Sequence, residues 1–267
     1  MSSDLVIRCV GLAKAYQLYA SYNDRLLQLL FGSFRRFYKE YWALADFDLE
    51  VRRGECLGII GRNGSGKTTL LQLLCGITKP TRGELCVSGR LAPILGLGSG
   101  FLGHTTGREN VLLGGALLGL RRTDVLQRMD SIVEFSGVGA FIDQPLRLYS
   151  AGMRSRLAFA ICAHADADIL VVDEALAVGD SAFRQKCLQR LQSYLEHGTL
   201  LFVSHDMREI EEFCHQVIWI DRGRIRARGK PVDVIGLYNE AGEKDRDDGS
   251  RFLFSGEVES EALVWGR

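Results

Sequence analysis

The sequence predicts an α/β fold with a parallel central sheet, an antiparallel β portion at the N-terminus and a separate helical subdomain. Three observations carry this. Cys56-Leu-Gly-Ile-Ile60 is a continuous apolar run that enters a glycine-rich stretch and then a helix beginning near Lys67, the order strand, loop, helix. Residues 169–173, 199–204 and 217–220 are further β-branched or aromatic runs of the kind that parallel strands buried on both faces show. Between residue 110 and about residue 165 the period becomes helical, over 111–120, 124–135 and 153–163.

Ahead of the first of these strands, residues 5–10 and 46–51 read as the antiparallel portion, and residues 17–42 between them are an insertion. With an N-cap at Asn23-Asp24, the residues Leu27, Leu30, Phe31, Phe34, Phe37, Tyr38 and Tyr41 fall near helical spacing, interleaved with Arg25, Arg35, Arg36 and Lys39. Such an aromatic, basic, amphipathic helix either packs on the domain's own core or lies against a membrane or a membrane-embedded partner. One domain over residues 1–241 is expected, containing the insertion 17–42 and the helical subdomain 110–165. The charged run 243–248 reads as a linker to a short alternating piece at 252–258, so residues 242–267 form a tail too short for a domain.

The balance of 33 basic and 33 acidic residues gives no overall attraction to nucleic acid, and no nucleic-acid partner is expected. Seven scattered cysteines without a Cys-x-x-Cys pair read as small core residues in a reducing compartment. No run approaches the ~20 apolar residues of a spanning helix, so any membrane work requires a partner with the spans.

The residues that carry chemistry lie at strand ends. Gly61, Arg62, Asn63, Gly64, Ser65, Gly66, Lys67, Thr68 and Thr69 match the P-loop pattern, in which backbone N–H groups and a helix N-terminus converge on phosphate oxygens. Lys67 is expected to reach the β- and γ-phosphates of ATP and Thr68 to ligate Mg²⁺. The run 169–173 ends in Asp173-Glu174, where Asp173 would hold Mg²⁺ and Glu174 would polarise the attacking water. His205 follows the run 199–204 and leaves the sheet at the same edge, as a γ-phosphate sensor. Ser150 and Gly152 open an alanine-rich helix, a second anion-ready N-terminus.

Tyr149-Ser-Ala-Gly-Met153 resembles the signature of ABC ATPases, commonly Leu-Ser-Gly-Gly-Gln. That resemblance implies a head-to-tail homodimer in which Ser150 and Gly152 cover the γ-phosphate of the other subunit, with Ala177-Val-Gly-Asp180 as a loop along the interface. It also implies an aromatic stacked on adenine, with Tyr16 in its place and Trp42 as the other candidate.

Within that family the chain is most similar to bacterial exporters of lipid-linked polysaccharides such as O-antigen, capsule and teichoic acid. Three segments carry the likeness: the signature variant, the stretch 172–187, and the glycine-rich loop 95–101 with Thr106-Gly-Arg-Glu-Asn110 where most relatives carry a glutamine. Ala151 departs from the second serine of that family's signature. The resemblance implies a homodimeric polytopic permease as partner, a lipid-linked glycan as cargo and a peripheral place at the cytoplasmic face of the bacterial inner membrane. It gives the insertion and the glycine loop as contacts with the permease, and the short tail no part in recognising glycan chain ends. The alternative is an ATPase subunit for another cargo, a small molecule or peptide.

Overall fold

The computed structural model describes residues 4–31, 36–94, 100–173 and 180–253. The chain runs β1 (Leu5–Leu18), α1 (Tyr22–Phe31), β2 (Lys39–Arg52), β3 (Cys56–Ile60), α2 (Lys67–Leu74), β4 (Arg82–Val87) and β5 (Leu91–Ile94). Next come α3 (Gly107–Leu117), α4 (Arg122–Ser136) and α5 (Ala151–Ala163). It closes with β6 (Ile169–Asp173), α6 (Ser181–Leu195), β7 (Thr199–Val203), α7 (Met207–Phe213), β8 (Gln216–Asp221), β9 (Arg224–Gly229) and α8 (Pro231–Leu253).

Two sheets form. One is antiparallel in the order β2-β1-β4; the other has six strands in the order β5-β6-β7-β3-β8-β9, parallel except for the β8–β9 hairpin. The strand alternation splits the core in two. Leu57, Ile59, Val171, Leu201 and Ile218 face α2, whose Leu70, Leu71 and Leu74 are covered from the other side by Leu12, Leu44 and Phe47 of the small sheet. Ile60, Val172, Phe202 and Val217 face the opposite layer, built from Phe159 of α5, Phe183 and Leu191 of α6, Ile210 of α7 and Ile235 of α8. Helices α3, α4 and α5 enclose a third core around Val111, Met129, Ile132 and Ile161. Phe159 joins it to the sheet, with its ring 6.0 Å from Phe135 of α4 and 6.2 Å from Phe183.

The insertion differs from the expected long helix. The first two strands extend into a two-stranded ribbon reaching Leu18 opposite Lys39, so Tyr41 and Trp42 lie in β2 and the helix is confined to α1. Cross-strand pairing favours aromatic residues in a strand, which outweighs their helical spacing. The N-cap is Ser21 rather than Asn23-Asp24: the Ser21 amide donates to Asp24 Oδ2 at 3.0 Å and the Asp24 amide to Ser21 Oγ at 3.2 Å. Phe34 and Arg35 lie outside the described residues, as do most of the glycine loop (95–99) and the stretch 254–258. The charged run 243–248 is helical, because α8, anchored by Val234, Ile235 and Tyr238, propagates through it. Among the described residues, no helix is long and apolar enough to cross a membrane.

One half-buried titratable group, His164, sets a pH limit on the fold. His164 caps α5, its Nδ1 donating to the Ala160 carbonyl at 2.7 Å while the Ser131 hydroxyl lies 2.9 Å from Nε2. Burial holds its pKa below the usual 6.5, and Arg190, Arg128 and Lys186 add to that against the opposing hydrogen bond to Ala160. The folded state therefore favours neutral imidazole, and stability present above about pH 6.5 is lost as pH falls through the lowered folded value. Thermal melts from about pH 5 to 7.5 are expected to show this slope, and His164→Gln to flatten it.

Candidate functional site

Between β3 and α2 the loop 61–66 curls under the positive end of α2. Gly66 is the residue that makes this geometry compulsory: its φ is +114° and a Cβ there would lie 2.6 Å from the Ala43 carbonyl oxygen and 2.9 Å from Leu44 Cδ2. The loop is stitched to the β8–β9 hairpin by the Gly223 amide, which donates to the Ser65 carbonyl at 2.8 Å, and the hairpin to β2 by the Ala45 amide, which donates to Gly223 at 3.0 Å. Lys67 is only 7% exposed, and its Nζ donates to the carbonyls of Gly61 at 2.7 Å and Arg62 at 3.2 Å, so the ammonium lies over the mouth of the loop. The buried Ser65 hydroxyl finds no hydrogen-bond partner among the described residues.

A cavity of about 400 Å³ opens beside this loop, lined by Tyr16, Tyr41, Ala43, Asn63, Gly64, Gly66, Lys67, Thr68, Thr69 and Asp173. It brings aromatic rings from the β1–β2 ribbon to one end and polar groups of the P-loop and β6 to the other. Tyr16 and Tyr41 are directly opposed across the ribbon. Trp42 is not in the cavity: one residue along a strand turns the side chain to the other face, where the Arg82 guanidinium sits 5.1 Å from its ring. Tyr41 thus joins Tyr16 in the cavity although its spacing in the sequence is helical, and only the ribbon register reveals it.

The central sheet aligns the remaining groups. Asp173 pairs with Val203, and Val203 pairs with Ile59, so one row across β6, β7 and β3 sets Asp173 about 10 Å from the strand that feeds the P-loop. His205 leaves the same edge two residues beyond that row and is exposed. Glu174 lies outside the described residues, as does the loop 177–179 before Asp180. Arg62 and Ser65 line a neighbouring open groove of about 1240 Å³ with Trp219, Arg222, Arg224 and Tyr238.

Ser150 caps α5, its hydroxyl accepting the Met153 amide at 3.1 Å, and Gly152 follows in the first turn. Neither lines the cavity that holds their own chain's Lys67. Thr106 and Glu109 form a reciprocal capping box at α3. The buried Asn110 side chain accepts the Leu102 amide at 2.8 Å and donates to Thr105 Oγ1 at 2.7 Å and the Thr106 carbonyl at 2.8 Å, fixing the turn that follows the glycine loop.

Comparison with known proteins agrees with this fold. The ABC transporter family pattern matches residues 44–177. The chain is 44% identical over 241 residues to the O-antigen export system ATP-binding protein RfbB of Klebsiella pneumoniae, spanning 88% of this chain and 98% of that protein. It is 41% identical to the teichoic acids export ATP-binding protein TagH of Enterococcus faecalis, over 89% of this chain and 53% of that protein. Among solved structures, a dimeric ATP-binding cassette in a post-hydrolysis state with ADP and Pi superposes with a TM-score of 0.69 at 19% identity, over 84% of this chain and 98% of that one. That likeness bears on the fold.

Proposed function

This chain belongs to the ABC transporter family as an ATP-hydrolysing cassette, and on that premise we propose that it powers the export of a lipid-linked polysaccharide through a separate membrane permease. The observation that carries the nucleotide chemistry is the cavity that unites Tyr16, Tyr41, Lys67, Thr68 and Asp173. Adenine is held between the ribbon tyrosines and the P-loop, the phosphates over the loop amides of residues 61–69, and Lys67 turns its ammonium from the Gly61 carbonyl toward the β- and γ-phosphates. The Thr68 hydroxyl and Asp173 carboxylate are hard oxygen donors in one cavity, a set that suits Mg²⁺, which keeps most of its shell as water and phosphate oxygens. Bound there, the ion supplies charge neutralisation on the transferring phosphoryl group. Glu174 accepts a proton from the attacking water, and His205 stabilises the γ-phosphate from the neighbouring strand. Ser150 and Gly152 act on the ATP of a second copy, consistent with their separation from their own chain's cavity.

The cargo class rests on the relatives that export O-antigen and teichoic acids. A surface feature supports a membrane partner: α1 buries none of its residues, and Leu29 is 84% and Leu30 69% exposed. The working arrangement is a homodimer peripheral to the inner face of the membrane, engaging a permease through this ribbon tip. Changing Leu29 and Leu30 to serine is expected to shift stability by less than about 0.5 kcal/mol, since both are exposed, yet to abolish export and copurification with the permease. Unfolding of that variant, or unimpaired export, would count against the assignment of α1. Reconstituted transporter whose ATPase rate rises with lipid-linked glycan, and not with small solutes or peptides, tests the cargo itself.

A further inference from the structure

Helix α6 opens with Asp180, whose carboxylate accepts the Phe183 amide at 2.8 Å. One turn later Arg184 spans the gap to α7. Its Nε and Nη2 both donate to Glu209 Oε1, at 2.9 and 2.6 Å, and Nη2 reaches Asp206 Oδ2 at 3.2 Å. The second Glu209 oxygen accepts the Ser204 hydroxyl at 2.8 Å, and Ser204 Oγ accepts the Asp206 amide at 3.0 Å. Asp206 Oδ1 then caps α7 by accepting the Arg208 amide at 3.0 Å.

This network grips both chain neighbours of His205. Capping α7 needs Asp206 alone, so the cap does not account for Glu209, a carboxylate only 7% exposed that burial would penalise without compensation. What Glu209 adds is a tie between the Ser204 hydroxyl and a guanidinium anchored on another helix. An arginine suits this place because its planar fork can serve two carboxylates at once, which a single ammonium on a flexible stem does poorly.

We propose that Arg184 and Glu209 are positioning residues for His205, coupling the start of α6 to the turn that presents the imidazole to the γ-phosphate. The proposal rests on the role given to His205 above. A shift of the first turn of α6 carries Ser204 and Asp206 with it through Arg184, so the imidazole's place depends on the segment that begins at Asp180.

The test compares ATP turnover by the full chain in four forms: unaltered, Arg184→Gln/Glu209→Gln, His205→Ala, and the combination. The paired amides remove both charges together, leaving no lone buried carboxylate. The expected result is a kcat lowered by about tenfold or more, with ATP affinity and melting temperature nearly unchanged, because misplacing a contributing group costs rate rather than ground-state binding. In the His205→Ala background the amide pair should lower kcat by less than about twofold further, since residues that act through one group are non-additive. Unchanged kcat in the amide pair, or losses that multiply in the combination, overturns the proposal while leaving His205 in its role. An unchanged kcat in His205→Ala removes the role of His205 itself and the proposal with it. Should the amide pair fail to fold, Arg184→Lys, which keeps the charge and loses the fork, replaces it in the same cycle with the same criteria.

Discussion

Lys67→Met is expected to lower kcat/KM for ATP by at least about 10²–10³-fold with the fold intact, the scale set by removing one preorganised charge or donor from a phosphoryl-transfer site. Methionine keeps most of the apolar stem and volume, so the change isolates the ammonium. The size of the effect follows from placement. Nζ is held at 2.7 Å from the Gly61 carbonyl on a residue only 7% exposed, where a charge is screened less than at a surface. Those carbonyl contacts hold the ammonium beside the loop before nucleotide arrives, and phosphate oxygens replace them when it turns. Phosphate release measured beside a thermal melt gives the answer: a variant that melts like the parent and turns over ATP at the parental rate would remove Lys67 from the phosphate site.

The parts of the site that local sequence can encode were legible. A P-loop is a continuous nine-residue feature whose glycines and lysine act through their own backbone and stem, and Ser150 declares its cap by its distance from a helical run. Strand ends were equally open to inference, because β6 and β7 are short apolar runs that terminate at polar residues. What escaped was whatever depends on pairing between distant segments. Phe31, Tyr38 and Tyr41 fall near a helical period, and nothing local shows that Leu18 pairs with Lys39 across a ribbon. Trp42 falls outside the cavity for the same reason, since a strand inverts successive side chains. The helical state of residues 243–248 was hidden by their charge, for its cause lies upstream in the buried face of α8. Arg184 and Glu209 belong to this class too: 25 residues separate them, and only the packing of α6 against α7 makes them a pair.

Glu174→Gln separates binding from chemistry most cleanly. The carboxamide matches the carboxylate in size and can still orient a water, but it accepts no proton from it, so kcat is expected to fall by about 10²–10⁴-fold while ATP affinity persists. If two chains close on two ATP molecules, with Ser150 and Gly152 of each facing the other's P-loop, hydrolysis is the step that releases them. Blocking it should convert a transient dimer into a stable one. Size-exclusion chromatography of the variant with ATP and Mg²⁺ is expected to show a dimer that is absent without nucleotide, and Ser150→Arg in the same background, by blocking the α5 N-terminus, should return it to monomer. Normal turnover in Glu174→Gln would mean that the water is activated by another group. Loss of turnover without the dimer would leave Glu174 in the chemistry and count against the shared site.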